Sequence, residues 1–333
     1  MILLTIIAMI ILVFGLVLAF FLHFRDYPNT LRSYIVGTST IVIVATVLLA
    51  NYILLPLFLN HCGSRPSPSS GSPDCIGGKL IIDGSTAMLP LVTDVANDYM
   101  NRCSVAQISV GGGSSKQGLT DVESGTVQIA DSDVSALSEE YPNLEDHQVA
   151  IVVFVLVVNK SVGITNLNTD QIQKIYDGTA NDWSQLGHSA FGHITAISRR
   201  ANSGTRDTFG HYVLMGSLEK GTTTPSDSTD SVISEMENTP GAIGYVSLYA
   251  AQEHSSKLTI LTINGHPYSD YVNNGYTFWN IEHMYTNRGD SSDKLAQEFI
   301  AYMGNTDVVK QTITTDSFGD INDMPATVLE SHC

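Results

Sequence analysis

Residues 199–206 read Arg-Arg-Ala-Asn-Ser-Gly-Thr-Arg, and Asp207, Thr208 and Phe209 follow them. A strand-like run, 193–198, precedes this stretch, and Phe209, Tyr212 and Val213 open an apolar helical pattern behind it. That order predicts a helix beginning near Ser203 and Thr205. The first turn of a helix leaves backbone N–H groups without partners, and the helix dipole adds partial positive charge there. With two hydroxyls and a guanidinium alongside, such a helix start suits a small tetrahedral oxyanion. Taken alone, the same residues are equally an ordinary N-cap beside two surface arginines.

Elements upstream present similar loops. Leu80, Ile81 and Ile82 run into Asp83-Gly84-Ser85-Thr86; Leu89, Val92, Val95, Ala96 and Tyr99 then fall at helical spacing, with Pro90 tolerable in the first turn. A strand at 107–110 leads to the glycine loop 111–118 and a short helix carrying Leu119 and Val122, and a strand at 127–130 ends in Asp131-Ser132-Asp133. Three strands thus deliver polar loops to one edge, and open α/β sheets bind ligands at that carboxyl edge. Residues 149–158, nearly all apolar and rich in valine, read as a strand buried on both faces. A helix at 168–175, a turn at 176–178, a polar loop at 217–231, a turn into a buried strand at 240–246, apolar residues 258–263 and helices at 293–303 and 308–313 complete the chain.

Composition narrows the function. The net charge is −17 over 333 residues, and all of the acidic excess lies beyond residue 60, since only Arg25, Arg32 and Asp26 are charged before it, which makes nucleic acid and anionic membrane surfaces poor partners. A buried anion remains compatible, because surface carboxylates are screened over roughly 8 to 10 Å. The glycine loop 111–118 lacks the GxxxxGK[ST] pattern of nucleotide hydrolases, and Ser203 is not in GxSxG. Asp131 and Asp133 have no further carboxylates close in sequence to complete a metal site, and the ten histidines are scattered. No catalytic pair and no cofactor is expected. The cysteines, Cys62, Cys75, Cys103 and Cys333, lack zinc spacing. Cys75 precedes the first strand of the α/β region and Cys103 follows its first helix, so the two can meet as a disulfide in an oxidising compartment.

Two uncharged apolar runs, 2–22 and about 34–59, are each long enough to cross a bilayer as a helix. Without a basic segment ahead of the first run, a retained hairpin is expected rather than a cleaved signal peptide. Arg25 and Arg32 lie between the runs and place that loop in the cytoplasm, with both termini outside. Residues 63–78, rich in Pro, Ser and Gly, read as a tether.

Gly84-Ser85-Thr86 with Pro90, Gly113-Ser114-Ser115 with Gly118, Ser132-Asp133, Arg199 with Ser203-Gly204-Thr205-Arg206, and 239–245 (Thr-Pro-Gly-Ala-Ile-Gly-Tyr) occur in one order. Together they resemble the PstS-like phosphate-binding proteins of bacterial phosphate ABC transporters, over about residues 78–315. The resemblance implies an α/β, two-lobed, type II periplasmic-binding-protein fold, here preceded by a transmembrane helical hairpin (1–62) and the linker. Lobe 1 is expected at about 79–154 and 247–333, and lobe 2 at about 155–246. It also implies the ligand shell: Ser85 and Thr86, backbone N–H groups near Met88 and Leu89, Ser115 in preference to Ser114, the carboxylate of Asp133, Arg199, and Ser203, Gly204 and Thr205. Asn202 stands where the family commonly has glycine. The implied role is extracytoplasmic capture of inorganic phosphate for an ABC permease, with the bilayer as anchor. An oxyanion-sensing ectodomain is the alternative.

Overall fold

The computed structural model describes residues 74–332 except 189–191, 222–224, 291–292, 305 and 316. The two apolar runs, the linker up to residue 73, Cys62 and Cys333 lie outside the described residues. Among those described, no helix is long and apolar enough to cross a membrane.

β1 (Gly78–Gly84), β2 (Ala106–Val110) and β3 (Ile129–Ser132) lie parallel in the order β2-β1-β3. Their connections are α1 (Leu89–Arg102) and α2 (Ser115–Glu123). Pro90 sits in the first turn of α1, and Leu91, Val92, Val95, Ala96 and Tyr99 form its buried face. Leu89, expected on that face, is half-buried. The Tyr99 hydroxyl donates to the Asp74 carbonyl (3.0 Å), drawing the start of the described chain onto α1, and Cys75 and Cys103 are joined beside it as expected.

The centre of the molecule is β4 (Leu144–Asn159), whose residues 149–158 are all buried. Its first part, up to Val153, pairs antiparallel with β10 (Trp279–Asn287), and β10 pairs on its other side with β3. Its last part, 154–159, pairs antiparallel with β7 (Ala242–Ser247) and β8 (Leu258–Ile260). β6 (Thr195–Ala196) extends this second region parallel to β7, while β5 (Asn166–Leu167) and β9 (Thr262–Ile263) form a small parallel sheet. Strand pairing thus sets residues 258–263 against the end of β4 and against β5.

The remaining helices are α3 (Thr169–Tyr176), α4 (Gly204–Tyr212), α5 (Thr229–Asn238), α6 (Leu248–Glu253), α7 (Lys294–Met303) and α8 (Thr306–Thr315). The polar stretch expected as loop to residue 231 gives way to α5 at Thr229, where Ser228 caps the helix and Thr229, Val232, Ile233 and Met236 are buried. At the C-terminus the His332 ring stacks on Trp279 (3.5 Å between centroids) and on Tyr212 (4.0 Å), and its Nε2–H donates to the Thr277 carbonyl.

Candidate functional site

The three parallel strands bring their loops together at one edge, and the start of α4 faces them. Ser203 occupies the N-cap position and its Oγ accepts the Arg206 N–H, so the helix begins where the residue pattern places it. A hydroxyl used as acceptor still has its hydrogen to donate. Gly204 lies close to the opposite wall: a Cβ there would come 2.5 Å from Ser115 Oγ and 2.9 Å from Asp133 Cβ. Lys116, at the start of α2, closes the side. Its N–H donates to the Asn202 carbonyl (3.2 Å), and its Nζ reaches the Ala201 carbonyl (3.3 Å) and Asp207 (2.6 Å).

Asp133 is buried at the meeting point. Ser85 donates to its Oδ1 and Thr205 to its Oδ2 (2.7 Å), while Asn280 holds its carbonyl (2.7 Å) and its N–H donates to Ser115 Oγ (3.2 Å). Burial pushes the Asp133 carboxyl above its usual range; the hydroxyls of Ser85 and Thr205 and the charge of Arg199 pull it back. Two hydroxyl donors leave about half the acceptor capacity of a carboxylate unused.

Arg199 is 2% exposed. Its Nη2 donates to Thr86 Oγ1 (3.1 Å) and to the Asp227 carbonyl (3.3 Å), whereas Nε and Nη1 are buried without an acceptor among the described residues. The Arg199 backbone is fixed from behind: its N–H donates to Tyr245 Oη (3.2 Å), and Arg206 Nη1 donates to its carbonyl (2.7 Å). Glu219, bonded to both Ser198 and Tyr245, anchors that arrangement. Buried guanidinium N–H groups ordinarily find acceptors, and a bidentate oxyanion matches their planar geometry.

The profile of the PBP superfamily domain matches residues 69–306. The phosphate-binding protein PstS of Bacillus subtilis is 34% identical over 293 residues, covering 86% of this chain and 96% of that protein. The chain belongs to the PstS-like family. The PstS of Staphylococcus aureus (strain USA300) is 25% identical over 264 residues, covering 74% of this chain and 80% of that one. Among solved structures, a phosphate ABC transporter substrate-binding protein of Clostridium perfringens with bound phosphate has a TM-score of 0.68 at 20% identity. It covers 73% of this chain and all of that one. An ABC-type phosphate transport receptor of Vibrio cholerae has a TM-score of 0.58 at 22% identity, covering 74% and 100%. At these identities the structural likeness speaks to the fold, the two-lobed α/β architecture.

Within this PstS-like chain, Ser85, Thr86, Ser115, Asp133, Arg199, Gly204 and Thr205 are linked by the contacts above. Ser203 is buried at the head of α4. Ser114 is buried too, at positive φ, and its Oγ has no partner among the described residues, so both hydroxyls of the pair remain candidates. The Met88 N–H donates to Ser85 Oγ (3.2 Å), and Leu89 begins α1. Residue pattern alone missed Lys116, Thr229, Asn280 and Glu282. Thr229 donates its N–H to Thr86 Oγ1 (3.3 Å), and Asn280 also bonds Thr208 (3.2 Å). Asn280 and Glu282 arrive on β10, whose buried Asn, Glu and His interrupt any apolar strand pattern. Among the described residues, no three of His, Cys, Asp or Glu are grouped to hold a metal ion.

Proposed function

We propose that this protein is a membrane-tethered, extracytoplasmic phosphate-binding protein that closes around inorganic phosphate and passes it to an ABC permease. The observation that carries the reading is that Arg199 Nε and Nη1 are buried without an acceptor among the described residues, in a site that also contains a buried Asp133. An anion satisfies the guanidinium, and a protonated anion also satisfies the carboxylate. Phosphate near neutral pH has both properties; sulfate has only the first. Ser114 or Ser115 and Ser203, with N–H groups at the heads of α1 and α4, would supply neutral donors, while Ser85 and Thr205 spend their single hydroxyl hydrogens on Asp133 and line the site. The names carried by the relatives support the same ligand. The role proposed is binding, as the names of the relatives indicate.

Isothermal titration calorimetry of the full chain with phosphate, arsenate and sulfate tests the ligand. Phosphate binding with sulfate excluded is expected, and a folded chain that takes up no phosphate refutes the reading. For the anchor, protease added outside intact cells should reach residues on both sides of the two apolar runs but not the loop near Tyr27. Protection of residues 74–332 would reverse that topology.

A further inference from the structure

β10 brings a second carboxyl to Asp133. In the antiparallel ladder of β3 and β10, Ser132 pairs with His283. The next residue of each strand, Asp133 and Glu282, therefore stand side by side, and opposed residues share a face. Asp131, two residues back, lies on that face as well. Glu282 is 0% exposed, and neither of its carboxyl oxygens receives a donor among the described residues; the same is true of Asp131. The charged groups that face Glu282 are Asp133 and Asp131, and Asp83 lies beyond Asp131. Its partner on β4 is Ala150, and toward α4 the neighbouring Asn280 is bonded to Thr208.

These surroundings distinguish the acids. Asp133 receives two hydroxyls and faces the charge of Arg199. Glu282 has no donor and meets carboxyls on the same face. A buried charge so placed takes up a proton instead, and burial with the neighbouring acids does push Glu282 well above the usual carboxylate range. Two carboxyls within hydrogen-bonding reach can bond only if one of them holds the proton.

We propose that Glu282 stands as a neutral acid whose O–H donates to Asp133, making it a positioning residue that keeps Asp133 ionised and ready to accept the proton of the ligand. The inference rests on the phosphate reading of the site. It turns a buried, donorless carboxyl into the device that extends ligand recognition toward acid pH, since a donor to the ionised form of Asp133 holds that form to lower pH.

The test is phosphate affinity of the full chain measured from pH 4 to pH 8 in wild type, Glu282→Leu and Glu282→Gln. Titration of phosphate itself is common to all three and cancels. Loss of the donor in Glu282→Leu should move the acid limb of binding up by about one to two pH units. Glu282→Gln keeps a donor and should hold the limb within about half a unit. If Glu282 is instead ionised, either substitution relieves repulsion and both limbs move to lower pH; that result, or an unmoved limb in Glu282→Leu, overturns the proposal. Should Glu282→Leu fail to fold, infrared difference spectra of wild type against Glu282→Gln decide the matter. A carboxylic-acid carbonyl band lost on substitution supports the neutral acid, and a lost carboxylate band refutes it. A wild type without phosphate affinity at any pH refutes the phosphate reading and the role tied to it, and the infrared result still reports the proton on Glu282.

Discussion

Gly204→Ala adds one methyl group at the tightest approach between α4 and the opposite wall. The new Cβ would lie 2.5 Å from Ser115 Oγ, 2.9 Å from Asp133 Cβ and 3.0 Å from Ser115 Cβ. Comfortable contacts are about 3.5 to 4.0 Å, so the walls must part by roughly 0.5 to 1 Å. Rotating the Ser115 hydroxyl does not help, because both Cβ atoms are fixed to backbone. Overpacking of this kind costs about 1 to 3 kcal/mol, and 1.4 kcal/mol is tenfold in affinity, so phosphate should bind roughly 5- to 150-fold more weakly. The closure proposed above has these walls apart without ligand, where the same methyl would clear them, and alanine is the better helix former. The ligand-free protein should therefore lose no stability to denaturant. Gly210→Ala, on the same helix with nothing within 4 Å of its added Cβ, is the control and should leave affinity unchanged. Calorimetry gives the affinity and urea titration the stability. An affinity for Gly204→Ala within twofold of wild type would show that ligand capture does not need this approach, and the closure argument fails.

Three further outcomes follow from the contacts described. Asp133→Asn should lower the phosphate-to-sulfate affinity ratio by about 10²-fold or more, because the amide no longer penalises an anion without a proton, whereas Arg199→Ala should weaken both anions; competition calorimetry separates them. Reducing the Cys75–Cys103 bond, which spans 28 residues, should cost about 3 to 4 kcal/mol in the chain-entropy model, read from urea midpoints with and without reductant. Burial lowers the His332 pKa to about 4. The unfolded chain then binds the extra proton first, so this residue's contribution is present above about pH 6.5 and is lost as pH falls toward 4, up to about 3 kcal/mol. His332→Phe, which keeps a stacking ring without titrating, should show a flatter decline in urea midpoint over that window, and equal slopes would remove His332 from the explanation.

What could be read from residues alone divides along physical lines. Loops after β1, β2 and β3, the start of α4 and the valine-rich part of β4 follow local rules of spacing and composition, and they carry Ser85, Ser115, Asp133 and Ser203 into the site. β10 escaped such rules because Asn280, Glu282 and His283 are all buried within it, and buried polar residues hide a strand from any hydrophobic pattern. Lys116 was illegible for another reason: its partners Ala201, Asn202 and Asp207 are over 80 residues away, and only closure of the fold makes them neighbours. The pairing of β8 with the end of β4 is likewise a non-local decision.

β4 runs unbroken from pairing with β10 into pairing with β7 and β8. At this crossing the lobes share one piece of hydrogen-bonded backbone rather than a loop, so opening here must flex a strand against its own ladder. Motion of that kind has an elastic restoring force, which favours a small, springy gape over a wide swing. It also makes the lobes mechanically inseparable: a single cut near Phe154 would take an interior strand from both sheets, and neither half could be expected to survive as a folded fragment.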